Sequence, residues 1–275
     1  MALWYVGLHV FAVRAAIFAV WNISLIPVWG GTFFIVSIQY LMKTTLLLLA
    51  IALCVGIVSF SQTIRYVKQG GTGTGTSWAN ASGNLKGILD AAAANTQIWV
   101  AAGTYKPTTG TDRNASFVMK NDVAIYGGFA GTETQLNARN FTTNITILSG
   151  DLTNNDVVTG SGASLNIANN SENSINVIKN DFTTGPPLNT TAILNGFTVK
   201  GGYSDAYLDG SGGGMLNSNA SPSISNVIFT GNRANKSGGG IQNTFGSSPI
   251  FNNCTISYNH CNGNSGGWRN EQFQS

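Results

Sequence analysis

The sequence predicts an all-β solenoid, a parallel β-helix of short strands stacked coil on coil behind an N-terminal capping α-helix. Three observations predict it. Only 9% of the 275 residues are charged, against roughly 25% in an average soluble protein. A short glycine-and-asparagine block returns at a near-constant spacing. Pairs of apolar residues two positions apart recur between turn-forming segments.

Gly, Asn, Ser and Thr replace the missing charges. Gly and Asn tolerate positive φ, and Asn, Ser and Thr hydrogen-bond nearby backbone, so many tight turns are expected. The content of Val, Ile, Leu and Phe is too high for disorder. Past residue 61 the chain has twelve basic and eleven acidic residues. That balance leaves no basic patch for nucleic acid.

Residues 1–41 are apolar and acid-free, and rich in Trp and Phe. Residues 42–61 have the form of a secretory signal peptide. Lys43 stands in a basic n-region, Leu46 to Val58 form the apolar core, and small residues precede Gln62. The preferred reading makes Met42 the true start and 1–41 a start called too early. The alternative is a pair of membrane helices near 8–28 and 44–60 that holds the rest outside. Either way the export machinery is an expected partner, and the destination is secretion or the cell surface, including the outer membrane.

Residues 62–97 are expected to form an N-terminal cap. Leu85, Ile88, Leu89 and Ala92 share one helical face, which predicts a helix over 84–95 that covers the open end of the first coil. The glycine run Gly70–Gly75 lacks both the dinucleotide and the P-loop pattern and is read as a turn.

Residues 98–275 are expected to form the coils. Gly213-Gly214-Met215-Leu216-Asn217 returns as Gly239-Gly240-Ile241-Gln242-Asn243 and as Gly266-Gly267-Trp268-Arg269-Asn270, at spacings of 26 and 27. Ser221-Pro222, Asn226 and Asn232 return 27 residues later as Ser248-Pro249, Asn253 and Asn259. Seven pairs mark the proposed rungs: Ile98/Val100, Val123/Ile125, Ile145/Ile147, Ile175/Val177, Phe197/Val199, Val227/Phe229 and Cys254/Ile256. Residues two apart face the same side of a strand, and stacking makes that side a continuous core. No long amphipathic stretch follows residue 96, which excludes paired-helix repeats. Asn217, Asn243 and Asn270 form one expected amide ladder, and Asn232 and Asn259 a second. The glycine pairs are expected to supply positive φ at corners. Cys254 is read as a core residue and Cys261 as a loop residue, with a disulfide between them left open.

Several segments also carry a resemblance. Ser77-Trp78-Ala79-Asn80-Ala81, Ile98 through Pro107, Ala124 through Phe129 and Ile147 through Asp151 resemble the opening of large exported bacterial β-helix repeat proteins. The tail is similar to the chlamydial polymorphic outer-membrane protein repeat, which pairs Gly-Gly-apolar with Phe-x-x-Asn. Phe229-Thr230-Gly231-Asn232 matches it, and Ile256-Ser257-Tyr258-Asn259 matches with Ile for Phe. The resemblance covers about residues 64–270. It implies a right-handed, pectate-lyase-like parallel β-helix, export, surface exposure and adhesion, and it assigns no catalytic residue. Such proteins continue to a sorting domain, so the chain is read as incomplete at its C-terminus.

Candidate chemistry is sparse. Asp205 and Asp209, beside Tyr203 and Tyr207, offer loop oxygens of the kind Ca2+ takes, although their spacing matches neither the helical-hand nor the nonapeptide calcium loop. Lys200, Arg233 and Lys236 lie about one coil away, as a lyase base would. His260, placed in a turn, carries no catalytic expectation. The function expected is a non-catalytic, adhesin-like surface protein that binds polysaccharide or a host or extracellular surface and has no cofactor. A polysaccharide lyase or glycoside hydrolase is the first alternative, and a truncated fragment without independent function the second.

Overall fold

The computed structural model describes residues 62–205 and 210–263, the positions Lys43 and Leu46, and the backbone of 271–272. The chain divides into two units, Met1–Ser59 and Phe60–Ser275, and the strands of the described residues all belong to the second. Among the described residues no helix is long and apolar enough to cross a membrane. The segments 1–41 and 42–61 lie outside the described residues, apart from Lys43 and Leu46.

The second unit is mostly β, with parallel strands in stacked sheets. Strand β1 (Thr63–Val67) opens it, and helix α1 (Leu85–Ala91) follows. Next come β2 (Thr96–Ala101), β3 (Gly103–Tyr105), β4 (Val123–Phe129), β5 (Thr146–Ser149), β6 (Val157–Thr159), β7 (Asn166–Ala168) and β8 (Ile178–Asp181). A more regular series succeeds them: β9 (Ile193–Asn195), β10 (Thr198–Lys200), β11 (Tyr203–Ser204) and β12 (Met215–Ser218). The same four-strand sequence returns in β13 (Ser223–Ser225), β14 (Ile228–Phe229), β15 (Arg233–Ala234) and β16 (Ile241–Thr244). Last come β17 (Ile250–Asn252), β18 (Thr255–Ile256), β19 (His260–Cys261) and β20 (Glu271–Gln272).

The passes β9–β12 and β13–β16 each add one strand to each of four sheets in turn. The first sheet is β1-β2-β4-β9-β13-β17, and the second is β3-β5-β10-β14-β18, with β20 antiparallel on its end. The third is β11-β15-β19 and the fourth β8-β12-β16. The register keeps like on like. Ile98, Ile125, Leu194, Ile224 and Phe251 align in the first sheet. Tyr105, Leu148, Val199, Phe229 and Ile256 align in the second, and Ile178, Met215 and Ile241 in the fourth. Nearly all of these are buried in one core, where each large apolar side chain contributes about 1.5–3 kcal/mol. The third sheet is lined by small residues, Ser204, Ala234 and Cys261.

Several sequence expectations need correction. The seven apolar pairs do not lie on one face. Ile98/Val100 and Val123/Ile125 belong to the first sheet, whereas Val199, Phe229 and Ile256 belong to the second. The spacing between pairs is uneven in part because the series changes sheet along the chain.

At β5 the inward face is Thr146 and Leu148, and Ile145 is exposed, so the pairing is one residue out of phase there. A one-residue shift exchanges the two faces of a strand. The segment that begins with the Ile98/Val100 pair breaks at Ala102 into β2 and β3, which join different sheets. Helix α1 is shorter than 84–95. Asn84 caps it by accepting from the Gly87 N–H at 2.9 Å. Ala92 is already extended and Asn95 has φ 62°, which turns the chain into β2. Cys254 and Cys261 are buried and are not joined to each other, and Cys261 sits on β19 rather than in a loop. His260 is on the same strand rather than in a turn.

The glycine pairs have a different role from the one expected. Positive φ falls on the preceding residues, Gly212 (φ 70°) and Gly238 (φ 59°). A Cβ on Gly214 would stand 2.9 Å from Asn232 Nδ2, and one on Gly240 would stand 2.9 Å from Asn259 Nδ2. The second glycine of each pair makes room for an asparagine side chain, and the first, Gly213 or Gly239, for the backbone of the next winding.

Candidate cation site at the neck of an excursion

The windings are not equally long. Register steps in the first sheet are 27 from Thr96 to Val123, 30 from Ile193 to Ser223 and 27 from Ser223 to Ile250. Between Ala124 and Ile193 the step is 69. That winding carries two excursions. The first, about 130–145, is held by Arg139. Its guanidinium donates to Gly127 O and Asn195 Oδ1 at 2.9 and 2.8 Å. It also lies over the Tyr126 and Phe141 rings at 5.1 and 5.5 Å, a favourable cation–π placement.

The second excursion leaves after β5 and returns before β8. Antiparallel β6 and β7 form its hairpin, with Val158 opposite Ile167. Its neck closes where the Ser174 N–H donates to Gly150 O at 2.8 Å. The outgoing limb carries Asp151 and Asp156, and the returning limb carries Glu172. Ligand oxygens of these three carboxylates lie within 4.8 Å of one another.

Local chemistry fixes each group. The buried Asp151 carboxylate accepts the N–H groups of Asn154, Asn155 and Asp156 at 2.6, 3.2 and 3.2 Å. This turn aims Asp156 back at Asp151. Thr153 donates to Glu172 Oε1 at 2.7 Å across the neck. Asn173 donates through Nδ2 to both oxygens of Asp156, at 3.0 and 2.9 Å. Burial pushes Asp156 up from its ordinary 3.8 to about 7. The Asn173 hydrogen bond and the Lys200 charge oppose that rise, and the charges of Asp151 and Glu172 reinforce it. Asn173 is 1% exposed, yet its Oδ1 has no partner.

The residues singled out in the sequence fall elsewhere. Asp205 pairs with Arg113 at 2.9 Å. Arg113 also donates to Asn173 O at 2.7 Å and to Tyr203 O at 3.2 Å. Asp209 and Tyr207 lie outside the described residues. Arg233 stacks over the Tyr203 ring at 4.9 Å. Sequence reasoning misses the three clustered carboxylates, since their spacings of 5 and 16 residues match no metal motif. The signal in the sequence is the unusual length between β5 and β8.

The asparagines form columns. Asn180 donates to Asn217, and Asn217 to Asn243, both at 2.9 Å. Asn232 donates to Asn259 at 3.0 Å, and its Oδ1 accepts from the Gly202 N–H at 3.0 Å. Asn270 lies outside the described residues. Two further columns run Asn253–Asn226–Asn195 and Asn262–Asn235. No family model matches the chain, and neither a curated protein nor a solved structure does.

Proposed function

We propose that the protein is an exported, non-catalytic, right-handed parallel β-helix of the pectate-lyase-like kind, which presents surface excursions to polysaccharide or to another surface. The observation that carries this reading is the contrast within one stack. Windings of 27 and 30 residues repeat in register, while one of 69 carries two excursions. A stack of this kind is a stiff support, and variable loops on a rigid scaffold are the usual place for binding. The hairpin of the second excursion exposes Val157 and Val158, and Tyr258 is exposed on the stack. Val158 lies 3.6 Å from where a Cβ on Gly231 would stand, and the Gly231 N–H donates to Tyr258 O. These residues therefore form one candidate contact strip. The resemblance to exported β-helix repeat proteins supports the same reading.

Binding of the purified chain to glycan and matrix arrays tests it. The expected result is saturable binding to a restricted set of ligands, reduced about tenfold or more by Val158→Asp with Tyr258→Ala, a loss of roughly 1.4 kcal/mol. A blank on both arrays counts against the reading. N-terminal sequencing of the exported chain is expected to start near residue 62.

A polysaccharide hydrolase or lyase is the second reading, favoured by one observation. Asp156 is raised to about 7 beside two other carboxylates, as acid–base pairs require. Product release from uronate-containing glycans, lost in Asp156→Asn, would support it.

A further inference from the structure

The three carboxylates stand at a mechanically distinctive place, the neck where the second excursion leaves and rejoins the stack. We propose that Asp151, Asp156 and Glu172, with the side-chain carbonyl of Asn173, bind one Ca2+ that ties the two limbs of this excursion together. The donor set is all oxygen, as hard cations prefer, and contains no imidazole or thiolate. Ca2+ bonds oxygen at about 2.3–2.6 Å, so ligands on opposite sides of one ion stand roughly 4.6–5.2 Å apart. The carboxylate oxygens lie within 4.8 Å. Mg2+ bonds at about 2.0–2.1 Å and would need a tighter cage.

Asn173 supplies the independent observation. Its amide faces the cluster, because Nδ2 contacts both Asp156 oxygens. Its Oδ1 is a buried acceptor without a partner, an arrangement that costs free energy unless something fills it. A half-turn of the amide exchanges Oδ1 and Nδ2. The carbonyl oxygen would then stand 3.0 and 2.9 Å from the Asp156 oxygens, as neighbouring ligands around one ion do. Among the described residues no salt bridge reaches the three carboxylates, and Arg113 is engaged by Asp205. Two ligands come from the outgoing limb and two from the returning limb, so one ion would close the neck.

Calorimetric titration of the full chain with CaCl2, paired with hydrogen exchange of the wild-type protein, tests this. It requires no binding partner, so its failure is separable from failure of the adhesive reading. The expected result is one Ca2+ per chain, with binding about tenfold weaker or more in Asp156→Asn and in Glu172→Gln and unchanged in Asp205→Asn. Ca2+ should also slow exchange across 151–156 and 170–174 in the wild-type chain, a readout that needs no variant to fold. MgCl2 should bind about tenfold more weakly or worse. Absence of saturable Ca2+ binding, binding that survives both neck substitutions, loss of binding in Asp205→Asn, or equal binding of Mg2+ would overturn the assignment.

Discussion

From Ile193 to Ile250 the chain repeats itself, and buried asparagine amides meet the same residue type one winding later. Asn232 meets Asn259, and Asn217 meets Asn243. Between Ala124 and Ile193 nothing repeats, and the extra chain is fastened by single contacts such as Arg139 on Gly127 O and Thr153 on Glu172. The repeating region distributes its stability over many equivalent interfaces, as stacked repeats do. The excursions depend on a few unlike contacts, so they can open without unfolding the stack.

The largest expected effect tests the repeating side. Phe229→Ala removes a fully buried ring from the core and should destabilise by about 3–5 kcal/mol, read from the denaturant midpoint. Asn232→Ala comes next, since it leaves the Gly202 N–H without its acceptor and takes a donor from Asn259. The expected loss is about 2–3 kcal/mol. The matching change at the exposed end of another column, Asn262→Ala, should cost under about 0.5 kcal/mol. Equal losses would show that burial does not govern the columns.

The excursions should respond locally. Arg139→Ala should speed hydrogen exchange over 130–145 and shift the global midpoint by about 1 kcal/mol or less. A further effect concerns pH. Because Asp156 has a folded pKa of about 7, above its ordinary 3.8, the folded state holds its proton more tightly than the unfolded state. The excursion should therefore be most stable below about pH 4 and lose stability as pH rises to about 7. Hydrogen exchange of 151–174 measured across that range in chelator should show the trend, and Asp156→Asn should flatten it.

The repeating region is also the readable one. Gly214 and Gly240 announce themselves because they must leave room for Asn232 and Asn259, and that demand returns every winding. The all-β, parallel character follows from such repeats. The apolar pattern misleads at Ile145 because Thr146, a polar residue, occupies the inward position, where its hydroxyl oxygen accepts from the Gly128 N–H. The division of the pairs among sheets is hidden because strands of two or three residues on different sheets look alike. The carboxylate cluster is illegible because a hairpin, not a local spacing, brings Asp151, Asp156 and Glu172 together.

The columns of asparagine have a further consequence. In the buried columns the amide-to-amide bonds run toward the C-terminal winding, from Asn180 to Asn217 to Asn243 and from Asn232 to Asn259, while Asn232 and Asn259 also donate back to Val199 O and Phe229 O. In the outer columns the donors point the other way, from Asn253 to Asn226 to Asn195 and from Asn262 to Asn235. Aligned amide dipoles add along a column, as peptide dipoles do along a helix. The amide-to-amide bonds of the buried and outer columns therefore oppose one another as the stack lengthens winding by winding.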